Sequence, residues 1–406
     1  MKYVLIVGDG MSDLPVGALG GKTPLQVAKK PNIDKIAKMG VCGLFSSVPR
    51  SLESGTDVAH LSIFGYEPEK YYTGRAPIEA AAMGIELGKN DIAVRCNLVY
   101  ANGEYLEDYS GGHVKTEEAH ELIKTISKHF GGKGIEFYAG VGYRHILVLR
   151  NYSGDIKTMP PHNLPRFKIS EYLVKPTSPA GKKTAELLNH FILSSREILG
   201  NHPVNKGRIS KGERPANMVW FWGQGKKPTL ENFEKKYGVS GAVISAVDIV
   251  RGIGRLQGME VIRVPGATGY YDTNYEGKAE YGIKALERHG FVIIHVEAPD
   301  EAGHTGDANR KIEAIEALDS RLVAHVWDGL EKIKENGEDF TLGIISDHHT
   351  AIDTKAHEYE PVPFAFMRSN EKMKYNFASY DEESAKKGPF LKKSFMDFFM
   401  GKTRLY

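Results

Sequence analysis

Three clusters of carboxylates and imidazoles fall late in this chain, and a single aspartate falls at its start. Asp300 and His304 come from A-P-D-E-A-G-H, Asp347 and His348 from I-S-D-H-H-T, and His357 from K-A-H-E-Y-E-P-V-P. The first two clusters end apolar runs that read as buried strands, Phe291–Val296 and Thr341–Ile345, and Asp9 ends a third, Tyr3–Val7. In a parallel sheet, catalytic and ligand-binding groups gather where strands end. Carboxylates meeting there repel one another unless cations neutralise them, and oxygen plus imidazole donors suit divalent Mn, Zn, Co or Mg. Any one of these aspartates, taken alone, reads as a cap on the following helix. All of them together, with three histidines, read as a two-metal site.

A hydroxyl for that site is offered by Leu52–Gly65, L-E-S-G-T-D-V-A-H-L-S-I-F-G. Ser54, Gly55 and Thr56 can form a tight turn that opens a helix, where a hydroxyl meets the positive end of the helix dipole. Beside two cations it could lose its proton and attack phosphorus. The local pattern equally suits an ordinary N-cap made by Ser54 or Thr56, with His60 packed inside the helix.

The elements that must position these groups alternate. After the strand at 3–7 come a helical pattern over Ile33–Met39 and an apolar segment over Val41–Val48. From about Ala216 strands are expected at Met218–Trp222, Ala242–Val247, Glu260–Val264, Phe291–Val296, Thr341–Ile345 and Pro363–Phe366. Between the last of these lies a long helix, Lys311–Lys334, with Ile312, Ile315, Leu318, Leu322, Val326, Leu330 and Ile333 on one face. Such alternation predicts βαβ units and a mostly parallel sheet flanked by helices. The middle has a different texture: short strands at Ile92–Tyr100 and Arg144–Leu149, a turn at Asn102-Gly103, a helix over Glu117–Phe130, and a Pro/Gly/Lys-rich passage over Asn151–Lys183. The expected organisation is a core of residues 1–76 and 216–406 with a smaller α/β domain, 77–215, inserted as a lid.

Composition excludes several function classes. The 406 residues carry a net charge of +2, so no strong field calls for nucleic acid or an anionic membrane. The two cysteines, Cys42 and Cys96, are too few for a disulfide framework or a thiolate metal site and suit a reducing cytoplasm. The start, M-K-Y-V-L-I-V-G-D-G, reads as a first strand rather than a signal peptide, and no uncharged apolar stretch approaches the ~20 residues of a membrane span. Composition is compatible with a homo-oligomer and does not require one.

The set G-D-G at 8–10, T-D-V-A-H-L at 56–61, A-P-D-E-A-G-H at 298–304, S-D-H at 346–348 and A-H-x-x-x-P-V-P at 356–363 resembles the alkaline phosphatase superfamily. More narrowly, it resembles the archaeal-type branch of the cofactor-independent phosphoglycerate mutases, over nearly the whole chain. The resemblance implies an alkaline-phosphatase-like core with an inserted lid. It also implies interconversion of 3-phosphoglycerate and 2-phosphoglycerate without bisphosphoglycerate. One metal would be held by Asp300, His304 and His357, the other by Asp9, Thr56, Asp347 and His348, with His349 outside the ligand set. The family's nucleophile matches Thr56, which would carry a phosphoenzyme intermediate. Tyr109-Ser110-Gly111-Gly112-His113 resembles the family's Ser-Asp-Gly-Gly-Val-His, which makes His113 the candidate for general acid/base work and substrate contact. Phosphate and carboxylate on a glycerate favour bidentate guanidinium partners. Arg75, Arg95, Arg144 and Arg251 are the candidates, while Lys206, Arg208, Lys211 and Arg214 read as an exposed basic loop. The alternatives are a homoserine-kinase-like phosphotransferase or a phosphatase on the same scaffold. A non-catalytic metal-binding protein would have no need of a hydroxyl facing the metals.

Overall fold

The computed structural model describes residues 1–371 and 377–403. The chain divides into two units, one made of Met1–Tyr72 and Thr229–Tyr406, the other of Thr73–Pro228.

The first unit is built on an eight-stranded sheet. Its strand order is Glu260–Ile262, Gly241–Ile244, Phe291–Val296, Lys2–Gly8, Phe340–Ser346, Val362–Arg368, Val41–Phe45 and Phe390–Leu391. Neighbours run parallel except around Val362–Arg368, which is antiparallel to both of its partners. The sheet is therefore mostly parallel, as the alternation of elements predicted. The strand Lys2–Gly8 is buried along most of its length and lies between Phe291–Val296 and Phe340–Ser346. A strand covered on both faces reads as a continuous apolar run, and V-L-I-V, F-V-I-I and L-G-I-I are such runs. Gly8 is paired with Val296 on one side and Ser346 on the other. All three strands thus end at one level, and Asp9, Glu297 and Asp347 are the next residues of each.

The expected helix over Lys311–Lys334 is a continuous helical rod, but it is not α-helical throughout. Ala308–Ala317 and Ala324–Glu335 are joined by a π-helical turn, Leu318–Val323. In that turn Asp319 accepts from the Ile33 N–H at 2.7 Å and from Asn32 Nδ2 at 2.8 Å, which anchors the start of helix Pro31–Met39. Near the rod's start Lys311 is fully buried. Its ammonium donates to Ser12 O, Asp13 Oδ2 and Thr350 O at 3.0, 2.8 and 2.7 Å. It so ties the segment after the first strand to the hairpin His349–Ala351/Ala356–Glu358.

The second unit has an antiparallel sheet in the order Ile135–Tyr138, Arg144–Leu149, Ile92–Asn102, Tyr105–Asp108, Phe167–Lys168. Helix Arg75–Ala82 packs Ala76 and Ala80 against Ala93, Ile146 and Val148. Helices Thr116–Phe130 and Lys182–Gly200 pack Leu122, Ile126, Leu188 and Phe191 with Leu147 and Leu149, the alternate residues of the same strand. The passage Asn151–Lys183 holds two-residue strands and short turns of helix until helix Lys182–Gly200 begins.

One strand lies elsewhere than its sequence suggested. Met218–Trp222 was expected to resume the core, but Met218–Gly225 pairs antiparallel with Ile92–Asn102 inside the second unit. M-V-W-F-W is apolar on both faces, so its period cannot say which sheet it completes; long-range pairing decides. The second unit consequently runs on past 215 to Pro228.

Glu382 supplies a test of this architecture. Its buried carboxylate accepts from Asp13 N at 2.9 Å and Thr23 Oγ1 at 2.6 Å, yet burial outweighs both and pushes the carboxyl up to about 7. Below an unfolded value of 4.5 both states hold the proton. Between 4.5 and about 7 the unfolded chain gives it up first, so this group's contribution to stability falls as pH rises and levels off above about 7. The total is on the order of 3 kcal/mol. Glu382→Gln should equal wild type near pH 4.5 and gain on it by that amount by pH 8, measured by denaturant unfolding of metal-free protein. Parallel curves for the two proteins would refute the linkage.

Candidate metal centre

The level strand ends bring the acidic groups together. Asp9 and Asp347 follow adjacent strands, and Asp347 Oδ1 accepts from Gly10 N at 3.0 Å and from His348 N at 2.9 Å. That leaves Asp347 Oδ2 and both oxygens of Asp9 buried with no hydrogen-bond partner among the described residues. Asp300 lies in the first turn of helix Ala298–Thr305, and His304 lies one turn on, with Nε2 3.2 Å from Asp300 Oδ2. His357 comes from the hairpin strand Ala356–Glu358, with Nε2 3.4 Å from Asp300 Oδ1.

The imidazoles are oriented from behind. His304 Nδ1 donates to Lys355 O at 3.0 Å, and His357 Nδ1 donates to Ser54 O at 3.2 Å. His348 Nδ1 meets Thr350 Oγ1 at 3.2 Å, and that hydroxyl donates to Asp300 Oδ1. Each ring so presents Nε2 to the centre, the arrangement that ligating histidines adopt. His304 Nε2 and His357 Nε2 are only 3.0 Å apart, two lone pairs that repel unless a proton or a cation lies between them. The rings of His348 and His357 stack with centroids 3.9 Å apart.

Electrostatics point the same way. Burial, then Asp347 and Asp300, push the Asp9 carboxyl well above the usual range, and burial raises Asp347 against the pull of His60. Burial would also raise Asp300, but hydrogen bonds from His304 and His357 hold it well below the usual range. His304 is raised to about 9 by its bond to Asp300, while burial keeps His348 neutral.

The donor set fits divalent cations. His348 Nε2 lies 3.3 Å from Asp9 Oδ1, 3.4 Å from Asp347 Oδ2 and 3.4 Å from Thr56 Oγ1. Donors about 2.1 Å from one ion in a tetrahedron sit about 3.4 Å from each other. Asp300, His348 and His357 form a second group whose donor atoms lie within 4.8 Å of one another.

Thr56 opens helix Thr56–Ile63 behind Gly55, and no side chain caps that helix. The two hydroxyls separate: Ser54 Oγ donates to Glu358 O at 3.2 Å, while Thr56 Oγ1 faces His348. His60 is fully buried in the helix, as expected, with Nδ1 on Thr56 O at 2.9 Å, but it also lies 3.6 Å from Asp347 Oδ2. His349, expected outside the ligand set, is buried, and its Nε2 meets Pro361 O at 3.1 Å.

In the second unit Arg75, Arg95 and Arg144 converge. Arg75 Nε and Arg95 Nε meet Glu79 at 3.0 and 3.1 Å. These guanidiniums and that of Arg144 outweigh burial and lower the Glu79 carboxyl. Three cations against one carboxylate leave positive charge over. Arg95 lies over the Trp222 ring at 4.3 Å, and burial with the neighbouring arginines brings it down to about 10. Arg251 has a different setting, in the first unit, where it pairs with Asp248 on its own helix.

His113 sits in a left-handed turn, φ 52°, where its N–H donates to Ser110 Oγ at 3.1 Å. Asp108 accepts from the N–H groups of Ser110 and Gly112. Arg208 clamps the same turn, donating to Gly112 O at 2.7 Å and to Glu118 at 2.6 Å. Arg208 was expected in an exposed basic loop; it is buried at the end of helix Pro203–Ser210, because these carbonyls and carboxylates satisfy its guanidinium. Residues near these groups that the sequence did not single out include Asn97, whose Oδ1 accepts from Trp222 Nε1 at 3.1 Å, His162, Thr350 and His295. His162 packs its ring edge-on to Trp222 at 5.0 Å. Of these only His295, an imidazole inside an otherwise apolar strand, carried a visible signal.

The sequence model for "2,3-bisphosphoglycerate-independent phosphoglycerate mutase" matches residues 37–205. A relative of that name from Methanosarcina barkeri is 47% identical over 389 residues, 96% of each chain. Among solved structures, a protein from Pyrococcus horikoshii superposes with a TM-score of 0.82 and 29% identity, over 100% of this chain and 98% of its own. The cofactor-independent phosphoglycerate mutase from Thermoplasma acidophilum gives 0.67 and 30%, over 99% and 100%.

Gly10 offers a test of the centre. It adopts φ 54°, and a Cβ there would run into Thr350 Oγ1, Asp300 Oδ1 and, at 2.9 Å, Asp300 Cα. Gly10→Ala should cost ~1–3 kcal/mol in stability and weaken divalent-cation binding at least tenfold by displacing Asp300. Denaturation and a metal titration check both; unchanged affinity would show that the cradle has slack.

Proposed function

The chain belongs to the 2,3-bisphosphoglycerate-independent phosphoglycerate mutases, isomerases that interconvert 3-phosphoglycerate and 2-phosphoglycerate, and on that premise we propose that it works through Thr56 at two divalent cations. Asp300, His304 and His357 would hold one; Asp9, Asp347, His348 and the Thr56 hydroxyl would hold the other. When bound, Mn, Mg, Co or Zn ions would neutralise charge on the transferring phosphoryl group and favour the deprotonated hydroxyl. What supports this reading most is that Thr56 Oγ1 lies 3.4 Å from His348 Nε2, with Asp9 and Asp347 at matching distances.

Thr56 Oγ1 attacks phosphorus as the bond to the substrate's oxygen breaks, giving phosphothreonine and glycerate. Glycerate then turns, and its other hydroxyl attacks the phosphothreonine. Arg75, Arg95 and Arg144 hold carboxylate and phosphate, a role their excess positive charge supports. His113 contacts glycerate and moves the proton between its hydroxyls. The buried, unpaired Cys42 and Cys96 support a reducing, cytoplasmic setting.

A coupled enolase assay on metal-reconstituted protein should give turnover without added bisphosphoglycerate. In it, Thr56→Ala should lose at least a thousandfold in rate and show no phosphopeptide by mass spectrometry, while its apo stability changes by less than ~1 kcal/mol. Phosphate found on Ser54 would overturn the assignment.

His113→Ala tests the substrate arm. A retained glycerate hydroxyl has a high effective concentration, which bulk water overcomes only when glycerate escapes. The variant should isomerise far more slowly and release more inorganic phosphate per 2-phosphoglycerate formed. A normal rate with an unchanged ratio would make His113 a bystander.

A further inference from the structure

His295 is a fully buried imidazole in the interior of strand Phe291–Val296, opposite Val7 of the first strand. Its Nε2 lies 3.0 Å from Asp9 Oδ2, and both atoms are buried with no hydrogen bond satisfied elsewhere or between them among the described residues. The other face of the ring meets Ser245, whose Oγ is 3.2 Å from His295 Nδ1. Ser245 follows strand Gly241–Ile244 and already accepts the Val247 N–H at 2.9 Å. Its own hydrogen has two acceptors in reach, Val247 O at 3.4 Å and His295 Nδ1 at 3.2 Å, and the relay uses the nearer. Donation there leaves the imidazole proton on Nε2, aimed at Asp9. Lys278, also buried, donates to His295 O at 3.1 Å and pins the backbone behind the ring.

We propose that His295 is a positioning residue for the metal centre: the chain Ser245 Oγ–His295–Asp9 Oδ2 occupies one oxygen of Asp9 and turns the other, Oδ1, toward His348 and Thr56. This rests on the reading that Asp9 holds a cation. The buried carboxylate would otherwise be free to rotate and spread its two oxygens over both neighbouring acidic groups. An outer hydrogen bond of this kind is worth 10–100-fold in metal affinity.

The test is a Mn titration of metal-free protein, followed by calorimetry and by the electron paramagnetic resonance of free Mn. His295→Leu keeps the volume and removes the donor. His295→Gln returns an N–H to nearly the place of Nε2. Ser245→Ala keeps the ring but frees its tautomer. The expected result is that wild type binds two ions and His295→Leu weakens one of them 10–100-fold, leaving the other unchanged. His295→Gln recovers most of the loss, and Ser245→Ala shows a smaller loss at the same ion. Equal affinities in wild type, His295→Leu and Ser245→Ala would overturn the proposal. So would a loss that His295→Gln does not recover, or a third ion in wild type that vanishes with His295, which would make the imidazole a ligand. Should His295→Leu fail to fold, Ser245→Ala decides alone, and unchanged binding there refutes the relay. Wild type that takes up no divalent ion would instead bring down the metal reading itself.

Discussion

Asp9 and Asp347 stand side by side at the ends of adjacent parallel strands, out of water, with Asp300 close enough to raise both further. Three carboxylates at this spacing cannot all be ionised in a dry interior without compensating charge. Much of the surrounding structure answers that demand. His304 and His357 press their ring nitrogens on Asp300, Gly10 and His348 give their N–H groups to Asp347, and His295 faces Asp9. Even so, Asp9 and Asp347 keep buried oxygens without a hydrogen-bond partner among the described residues. A fold that spends this much backbone geometry on gathering negative charge is arranged for cations.

The support extends well beyond the donors. Thr350 bonds Asp300 and His348 at once, and its own carbonyl is held by Lys311, which also grips Ser12 and Asp13. Asp13 in turn donates its backbone N–H to Glu382, which also accepts from the Thr23 hydroxyl. Polar groups buried in this way are stable only while every partner is present, so the network holds the strand ends rigidly. Rigidity matters because phosphoryl transfer gains chiefly from positioning and fixed charge.

The second unit uses different means. Its cationic cluster rests on Glu79, which lets Arg95 stay buried and charged beside Arg75 and Arg144. Its Gly-Gly-His turn is held by Asp108 from within and by Arg208 from outside. Asp108 accepts from the N–H groups of Ser110 and Gly112 and from the Ser110 hydroxyl, and Arg208 donates to the carbonyls of Gly111 and Gly112. Such turns are positioned by counting N–H and C=O groups rather than by packing.

Much of the first unit was legible in the residues alone. Apolar runs ending in aspartate announced the parallel strands, because strands buried on both faces have no alternation to hide their length. The residue types at those ends, oxygen and imidazole together, announced the cation chemistry. Arg75, Arg95 and Arg144 were marked by their chemistry, but only folding showed that they share Glu79 and that Arg251 does not. The strand at 218 was expected in the core sheet and pairs in the second unit instead, since its partners lie far away in sequence and an all-apolar strand suits either sheet. Arg208 looked solvated because the carbonyls that bury it belong to a turn almost a hundred residues earlier. His295 was visible only as an odd polar residue in a strand. Sequence fixes which groups a chain has and the local period they follow. Which of those groups face one another depends on register and on hydrogen bonds between distant segments, and these exist only once the sheet has formed.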